Sequence, residues 1–257
     1  MNTTLGSSLT EVGVDLGTLV EGTFLTRTNR FRVEVRVGHQ VTSAHLANPG
    51  RLEELLIPNR TVWLKRADRP HRKTDYDLAL IEYGEILVSL NSHLPNALLA
   101  QALRGGHLPW VDRDAVVRTE ARLGASRLDF LLLGQDNRQW WIEAKSVTLV
   151  EGHLAKFPDA PTRRGRRHIH ELISAVHQGD QASVIFVVQR SDAERFTPND
   201  RTDPDFADAL RAAAEVGVQI RAIRCKVTPN HISLDRAIPV SLDRPTRHSY
   251  NHSRSLS

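Results

Sequence analysis

The stretch SRLDFLLLGQDNRQWWIEAKSVTL, residues 126–149, contains two apolar segments around a polar turn. The run GQDNRQ has turn chemistry, so we predict an antiparallel hairpin. The first predicted strand nevertheless carries Asp129, and the second carries Glu143 and Lys145. Charges in such apolar surroundings are costly unless they are paired or used. The hairpin is therefore a candidate functional site.

The register of this hairpin decides what the three charges can do. A loop at 134–138 places Asp129 directly opposite Glu143, with β-carbons about 5 Å apart, and Lys145 on the same face. Two carboxylates at that spacing suit Mg²⁺ or Mn²⁺, and a lysine beside them can orient or help deprotonate a water or hold a phosphate oxygen. In the alternative interpretation, the trio is a surface ion-pair cluster. A one-residue shift would move Asp129 to the opposite face.

Composition limits the class of protein. The 257 residues are 40% hydrophobic, which is enough for one large domain or two ordinary ones. Basic residues outnumber acidic ones by 34 to 30 and are mostly arginine, which suits a polyanion partner, unless arginine simply replaces lysine throughout this proteome. The one cysteine, Cys225, fits a reducing compartment. With neither a leader nor a membrane-length apolar run, we expect a soluble, cytoplasmic protein and no membrane partner.

The chain divides into two predicted domains between polar ends. Residues 18–94 contain about six short strand-like runs, which predict a small β-barrel of the oligonucleotide-binding (OB) type. In 95–242, strands and helices alternate, which predicts an α/β domain with a mixed sheet and an α+β or α/β class overall. Residues 1–17 and 243–257 are polar, and we expect both ends to be flexible.

Two groups of arginines are candidates for nucleic-acid binding. Residues 30–37 alternate, so that Phe31, Val33, Val35 and Val37 share one face and the other face is mostly positive. The helix predicted after Thr162 begins with further arginines, although positive charge at a helix N-terminus opposes the dipole. Phosphate binding explains that placement, and a solvated face is the alternative. The candidates are Arg30, Arg32, Arg36, Arg163, Arg164, Arg166 and Arg167.

Weaker candidates lie near the hairpin. Glu120 could supply a third acid or be an exposed strand residue. His168 and His170 lie on different sides of a helix, so they make a poor zinc pair, and a polar helix face explains them. The chain contains no nucleophile elbow, no phosphate-binding glycine loop and no cysteine pair. Aromatic residues make up only 5% of it, so base stacking and sequence specificity are not expected.

Two resemblances add to these patterns. LDF followed by IEAK resembles the active-site pattern of the PD-(D/E)xK nuclease superfamily. That resemblance implies that Asp129 and Glu143 bind metal with the Ala144 carbonyl, and that Lys145 assists the water. From about residue 18 to 240 the chain is similar to the sugar fermentation stimulation protein A family, through RTNRFRVEV, HLANPGRLEELL, SRLDFLL, IEAKSVTL, FPDAPTRRGRRHIHEL and ASVIFVVQR. This second resemblance implies an OB-like barrel, a nuclease-like domain and DNA binding without sequence preference; the roles of Asn48 and Gly50 stay open.

Three functions follow as hypotheses. The leading one is a nuclease dependent on Mg²⁺ or Mn²⁺ that acts on DNA, with RNA not excluded. The alternative is a non-catalytic DNA-binding regulator linked to sugar (maltose) metabolism, as the family resemblance suggests. A sugar or small-ligand binder is the third, since barrels can hold such ligands. Oligomeric state, cleavage polarity and physiological substrate are left open.

Overall fold

The computed structural model describes residues 8–67, 72–135 and 138–244. A short 3₁₀ helix (Leu9–Glu11) and strand β1 (Gly13–Asp15) come first. The next strands are β2 (Leu19–Asn29), β3 (Arg32–Val37), β4 (Gln40–His45), β5 (Thr61–Arg66), β6 (Tyr76–Tyr83) and β7 (Ile86–Ser89).

Strands β2 to β6 form the predicted OB-type barrel. Their order is β4-β3-β2-β5-β6, and a parallel pairing between β4 and β6 at Ala44 and Tyr76 closes the sheet. Inward residues such as Phe24, Val33 and Val35 are at most 1% exposed, so side chains fill the interior. The alternation predicted for β3 is confirmed for the valines. Phe31 is 44% exposed, because it lies in the turn before β3 begins.

A mixed sheet with helices on both faces forms the second unit. Its order is β1-β16-β15-β13-β10-β9-β8, and β10, β13 and β15 run parallel. A small sheet of β11, β12 and β14 lies beside it. The bounds are α1 (Leu94–Arg104), β8 (Val116–Leu123), β9 (Ser126–Leu133), β10 (Gln139–Val147), β11 (Val150–Glu151), β12 (Leu154–Phe157), α2 (Arg163–His177), β13 (Gln181–Val188), β14 (Arg195–Pro198), α3 (Pro204–Glu215), β15 (Gln219–Val227) and β16 (His231–Ile238).

The helices cover the two faces of the large sheet separately. Leu98 and Leu99 of α1 pack in one core with Ile142, and Leu172 of α2 packs in the other with Phe206 of α3. The middle of the central strands is therefore covered on both faces, and a charge buried there needs a partner. None of the described helices is long and apolar enough to span a membrane.

The N-terminal prediction was wrong for residues 8–17. β1 pairs with β16, with Gly13 opposite Ser233, and Val12 and Leu16 are 0% and 7% exposed. The sequence did not predict this strand, because three residues are too few to show a periodic pattern and the partner strand β16 lies near the other end of the chain. The rest of the predicted flexible ends, 1–7 and 245–257, lies outside the described residues.

Candidate metal centre and nucleic-acid interface

The β9–β10 hairpin has the predicted register, but its ladder stops at the two acids. Pairing runs from Gln139 opposite Leu133 to Ile142 opposite Phe130, one position before Glu143 and Asp129. On its other side, β9 pairs with β8 at Phe130 and again at Leu128. Glu120 of β8, which lies between those pairs, has φ of 54°, a value that non-glycine residues rarely adopt. The sheet is therefore irregular around Asp129.

Hydrogen bonds from two elements hold the Asp129 carboxylate at this irregularity. The Ala144 backbone N–H donates to Oδ2 at 2.8 Å, and Asn96 Nδ2, from α1, donates to Oδ1 at 2.6 Å. The Ala144 bond replaces the ladder bond that the hairpin lacks there. Asp129 is therefore fixed beside β10 rather than free to rotate.

Glu143 is the most buried charged group of the hairpin, at 3% exposure. Its Oε1 accepts from Lys145 Nζ and from His168 Nδ1, both at 2.5 Å. Its Oε2 is also buried and has no hydrogen-bond partner among the described residues. An unpartnered carboxylate oxygen in the interior is costly, and a bound ligand beside Glu143 would satisfy it.

The two acids have pKa values shifted in opposite directions. Burial raises the pKa of Glu143, but the Lys145 charge and the hydrogen bond from His168 outweigh it and lower that pKa to about 2. Burial, and then the charge of Glu143, raise the pKa of Asp129, and the Ala144 hydrogen bond only partly offsets them. Since each acid responds to its neighbours' charges, Asp129 and Glu143 belong to one electrostatic site.

Both acids line a cavity of about 380 Å³ between the barrel and the α/β unit. Lys145 and Ala144 line it too, and so does Arg30 from the barrel. Further lining residues that the argument uses are Asn48, Gly50, Asn96, Asp159 and Arg164. The predicted metal residues are thus brought together at the base of a space with cationic side chains on two sides.

Helix α2 contributes to this cavity from its first turn. Thr162 caps it by accepting from the Gly165 N–H at 3.0 Å, as its sequence predicts. Arg164 lines the cavity, and its Nε lies 3.4 Å from His168 Nε2. His168 is 2% exposed, so its assignment to a polar helix face was wrong; His170 is exposed. The helix turns His168 into the core because Ile169 and Leu172 pack against the sheet on that side.

Other predicted residues lie outside the cavity. Glu120 is exposed and pairs with Arg127 at 3.4 Å, so it is not a third acid at this site. The outer arginines are a group on the solvent side of α2, around a shallow depression: Arg163, Arg166 and Arg167. Of these, Arg166 pairs with Asp205. Arg32 and Arg36 are exposed on β3 and do not line the cavity.

The segment HLANPGRL, residues 45–52, contributes Asn48 and Gly50 to the barrel side of the cavity rim. The sequence alone left the roles of these two residues open. Asn48 Nδ2 donates to the Leu90 carbonyl at 3.0 Å, and its Oδ1 accepts from the Gly50 N–H at 2.9 Å. A β-carbon on Gly50 would lie 2.3 Å from Asp159 Oδ2. Gly50 therefore leaves room for the Asp159 side chain where the two units meet. Its Asn-Pro-Gly setting was the available signal.

The donor set fits a hard divalent cation. Asp129, Glu143 and the Ala144 carbonyl offer oxygen ligands, and Glu143 Oε2 is buried without a partner in the described part of the chain. That part contains no group of three His, Cys, Asp or Glu side chains able to hold a metal. Mg²⁺ suits such a site, because it takes one or two carboxylates and keeps several waters.

Comparison with known proteins shows the family. A model described as the sugar fermentation stimulation protein RE domain matches residues 93–231, and the SfsA N-terminal OB domain matches residues 25–90. The chain belongs to the sugar fermentation stimulation protein family. It is 46% identical to homologs from Alkaliphilus metalliredigens and from Moorella thermoacetica, over 87% of this chain and 97% of each relative. It is 30% identical to Pyrococcus furiosus SfsA, solved in complex with Ca²⁺, with a TM-score of 0.82 over 89% of this chain and 98% of that chain.

Proposed function

We propose that this protein is a metal-dependent phosphodiesterase that cleaves nucleic acid, with DNA as the main substrate. The observation that carries the proposal is the buried Glu143 Oε2, which has no partner among the described residues, on a residue that lines one cavity with Asp129 and Lys145. The ion pair with Lys145 satisfies only the other oxygen, Oε1. A divalent cation would satisfy Oε2 and would also bind Asp129.

The residues that would hold the cation are Asp129, Glu143 and the Ala144 carbonyl. Bound Mg²⁺ or Mn²⁺ would polarise a phosphate oxygen and acidify a water. Pyrococcus furiosus SfsA was solved in complex with Ca²⁺, which also takes oxygen ligands, and this supports a divalent cation as the bound group. Asn96 keeps the Asp129 carboxylate in place through its 2.6 Å hydrogen bond.

Lys145 has the position of a catalytic cation. Its side chain is 12% exposed, and its Nζ is 2.5 Å from Glu143 Oε1. In that position an ammonium can donate to an attacking water or to a phosphate oxygen of the substrate. Removing it would leave two acids without their cation, which opposes the approach of a polyanion.

The nucleic acid would be held mainly through its phosphates. Arg30 and Arg164 line the cavity from the barrel and from α2, and the outer arginines extend the positive surface along the helix. Backbone contacts fix position without reading bases, so we infer binding without sequence preference. Guanidinium groups suit this task because they bind phosphate in a bidentate manner.

The test is cleavage by the purified protein. Single-stranded DNA, double-stranded DNA and RNA are incubated with Mg²⁺, with Mn²⁺, and with excess chelator. We expect cleavage with the metals, none with chelator, and loss of activity in Lys145→Met and Glu143→Gln. Glu120→Gln is the matched control, because Glu120 is an exposed acid on the neighbouring strand. Metal-independent cleavage, or full activity in Lys145→Met, refutes the proposal.

The second candidate is a DNA-binding regulator without catalysis, favoured by the exposed positions of Arg163 and Arg167. It predicts salt-dependent binding and no cleavage under any metal condition. A sugar-binding role has less support, because side chains such as Phe24 and Val35 fill the barrel interior. Absence of a sugar-induced shift in melting temperature would dismiss that role.

A further inference from the structure

We propose that His168 is a positioning residue that links a phosphate-binding arginine, Arg164, to the metal ligand Glu143, so that nucleic acid and divalent cation strengthen each other's binding. This inference rests on the proposed function, since it needs the cation at Glu143. His168 is buried in the core, at 2% exposure, and contacts both of the other residues.

The two contacts of His168 require one arrangement of its ring protons. A carboxylate oxygen only accepts, so Nδ1 donates to Glu143 Oε1 across 2.5 Å. A guanidinium nitrogen only donates, so Nε2 accepts from Arg164 Nε across 3.4 Å. One neutral tautomer, with its proton on Nδ1, satisfies both contacts. The imidazole therefore orders a chain of three side chains that runs from the cavity rim to its base.

For Glu143 the consequence is a fixed carboxylate. His168 of α2 and Lys145 of β10 both donate to Oε1, from two different elements. The same pair of bonds leaves Oε2 as the oxygen without a partner among the described residues. Partners behind a metal ligand orient it in this way and raise metal affinity. Without His168, only the flexible Lys145 would hold the carboxylate.

For Arg164 the consequence is a pre-ordered guanidinium. Arg164 and His168 are four residues apart on α2, so their side chains lie on one face of the helix. With Nε directed at His168, the terminal nitrogens make no hydrogen bond to any residue in the described ranges, although Arg164 lines the cavity. They are available to a phosphate oxygen. Arg163, one residue earlier, belongs to the outer arginines instead.

Phosphate and cation are coupled through this chain of contacts. A phosphate that holds Arg164 also holds His168 and, through it, Glu143, which lowers the cost of ordering the metal ligand. Coupling of this kind is reciprocal: the cation must raise the affinity for nucleic acid by the same factor as nucleic acid raises the affinity for the cation. Direct attraction between phosphate and cation also contributes, but it does not depend on His168.

Calorimetric titration of Ca²⁺ tests the positioning role without turnover. We expect His168→Ala to weaken Ca²⁺ binding by roughly 10–100-fold, as loss of a partner behind a metal ligand does. His168→Asn should restore most of the affinity, because its amide can donate to Glu143 from nearly the position of Nδ1. Thermal melting of the metal-free variants shows whether they fold. If His168→Ala fails to fold, the Ca²⁺ affinities of His168→Asn and His168→Gln are compared with that of the wild type instead.

The coupling is tested by repeating the Ca²⁺ titration with a short single-stranded DNA oligonucleotide present. In the wild type we expect the oligonucleotide to raise the Ca²⁺ affinity by about 5–150-fold, the usual range of coupling. His168→Asn and Arg164→Ala should lose most of that factor, because each breaks the contact between Arg164 and residue 168. Arg163→Ala is the matched control, and it should weaken DNA binding while it retains the coupling factor.

Each outcome bears on a different proposal. Ca²⁺ affinity of His168→Ala within twofold of the wild type, or full coupling in His168→Asn, overturns the role of His168 and leaves the proposed function standing. A wild-type protein that binds no Ca²⁺ overturns both. Weak binding in His168→Ala with recovery in His168→Asn, together with lost coupling in the latter, supports the inference.

Discussion

The start of helix α2 presents charge to two different environments. Arg164 lines the cavity, where the buried Glu143 carboxylate accepts a hydrogen bond from the mostly buried Lys145 ammonium. The outer arginines lie on the solvent side. Buried charges cost several kcal/mol to desolvate, whereas exposed pairs contribute ~0–1 kcal/mol. The cavity charges are therefore the ones whose placement the proposed metal site explains, and the outer ones are suited to attracting a polyanion.

The largest expected effect comes from the cavity cation. Lys145→Met should lower metal-dependent cleavage by roughly 10²–10⁴-fold, the range for loss of a residue that assists proton transfer. DNA binding measured with Ca²⁺ should change much less, because the exposed arginines stay in place. Cleavage rates at saturating DNA report the effect. If Lys145→Met still cleaves DNA but no longer binds it tightly, the assignment of catalysis to the cavity and of DNA binding to the outer arginines is wrong.

A large effect on stability is expected at Glu143. Glu143→Gln leaves Lys145 without its partner, and breaking a buried pair costs about 3–5 kcal/mol. Because the pKa of Glu143 is lowered from 4.5 to about 2, its contribution is complete above 4.5 and disappears as the pH falls toward 2. Urea unfolding of metal-free protein should show the difference from wild type shrinking over that window.

Glu120→Gln is the control for this stability measurement. Its pair with Arg127 is exposed, so the change should be ~0–1 kcal/mol at neutral pH. Equal losses for Glu143→Gln and Glu120→Gln would mean that the cavity charges are no more strongly coupled than those on the surface.

The rim of the cavity should tolerate little added volume. Gly50→Ala brings a β-carbon to 2.3 Å from Asp159 Oδ2, so that carboxylate must move and give up the hydrogen bond from the Leu52 N–H, at a cost of about 1 kcal/mol. The same substitution in an Asp159→Ala background should cost less, because the clash is removed. Thermal unfolding of the four proteins measures this coupling. Equal costs in the two backgrounds would contradict the close approach.

The smallest expected effect is on the salt dependence of DNA binding, and it tests the outer arginines alone. Replacing Arg163, Arg166 and Arg167 by alanine removes up to three phosphate contacts, and each accounts for about 0.9 of the slope of log affinity against log salt on duplex DNA. The slope should flatten while cleavage at saturating DNA changes little. An unchanged slope would show that the outer arginines do not contact phosphate.

Local patterns predicted the hairpin, and long-range packing decided the rest. The turn and the apolar runs of β9 and β10 fix the pairing of Gln139 with Leu133, so Asp129 and Glu143 could be placed together in advance. Asn96 could not, because only the packing of α1 brings it to Asp129. His168 was misplaced for the same reason: its burial depends on where α2 meets the sheet.

The irregularity at Glu120 had no signal in the sequence either. Its φ of 54° coincides with the gap in the pairing of β8 and β9 at Asp129. Period-2 alternation predicts the faces of a regular strand but does not predict a residue with positive φ such as Glu120. The family resemblance, in contrast, extended over both units and was confirmed.

The claim that the two acids hold a divalent cation is tested most directly by titrating Mn²⁺ into metal-free wild-type protein and into Asp129→Asn. The variant keeps the shape of the aspartate and removes its charge, so it should fold. We expect saturable binding to the wild type and a loss of most of that affinity in Asp129→Asn. Equal binding by both proteins, or no binding by the wild type, would contradict the metal centre.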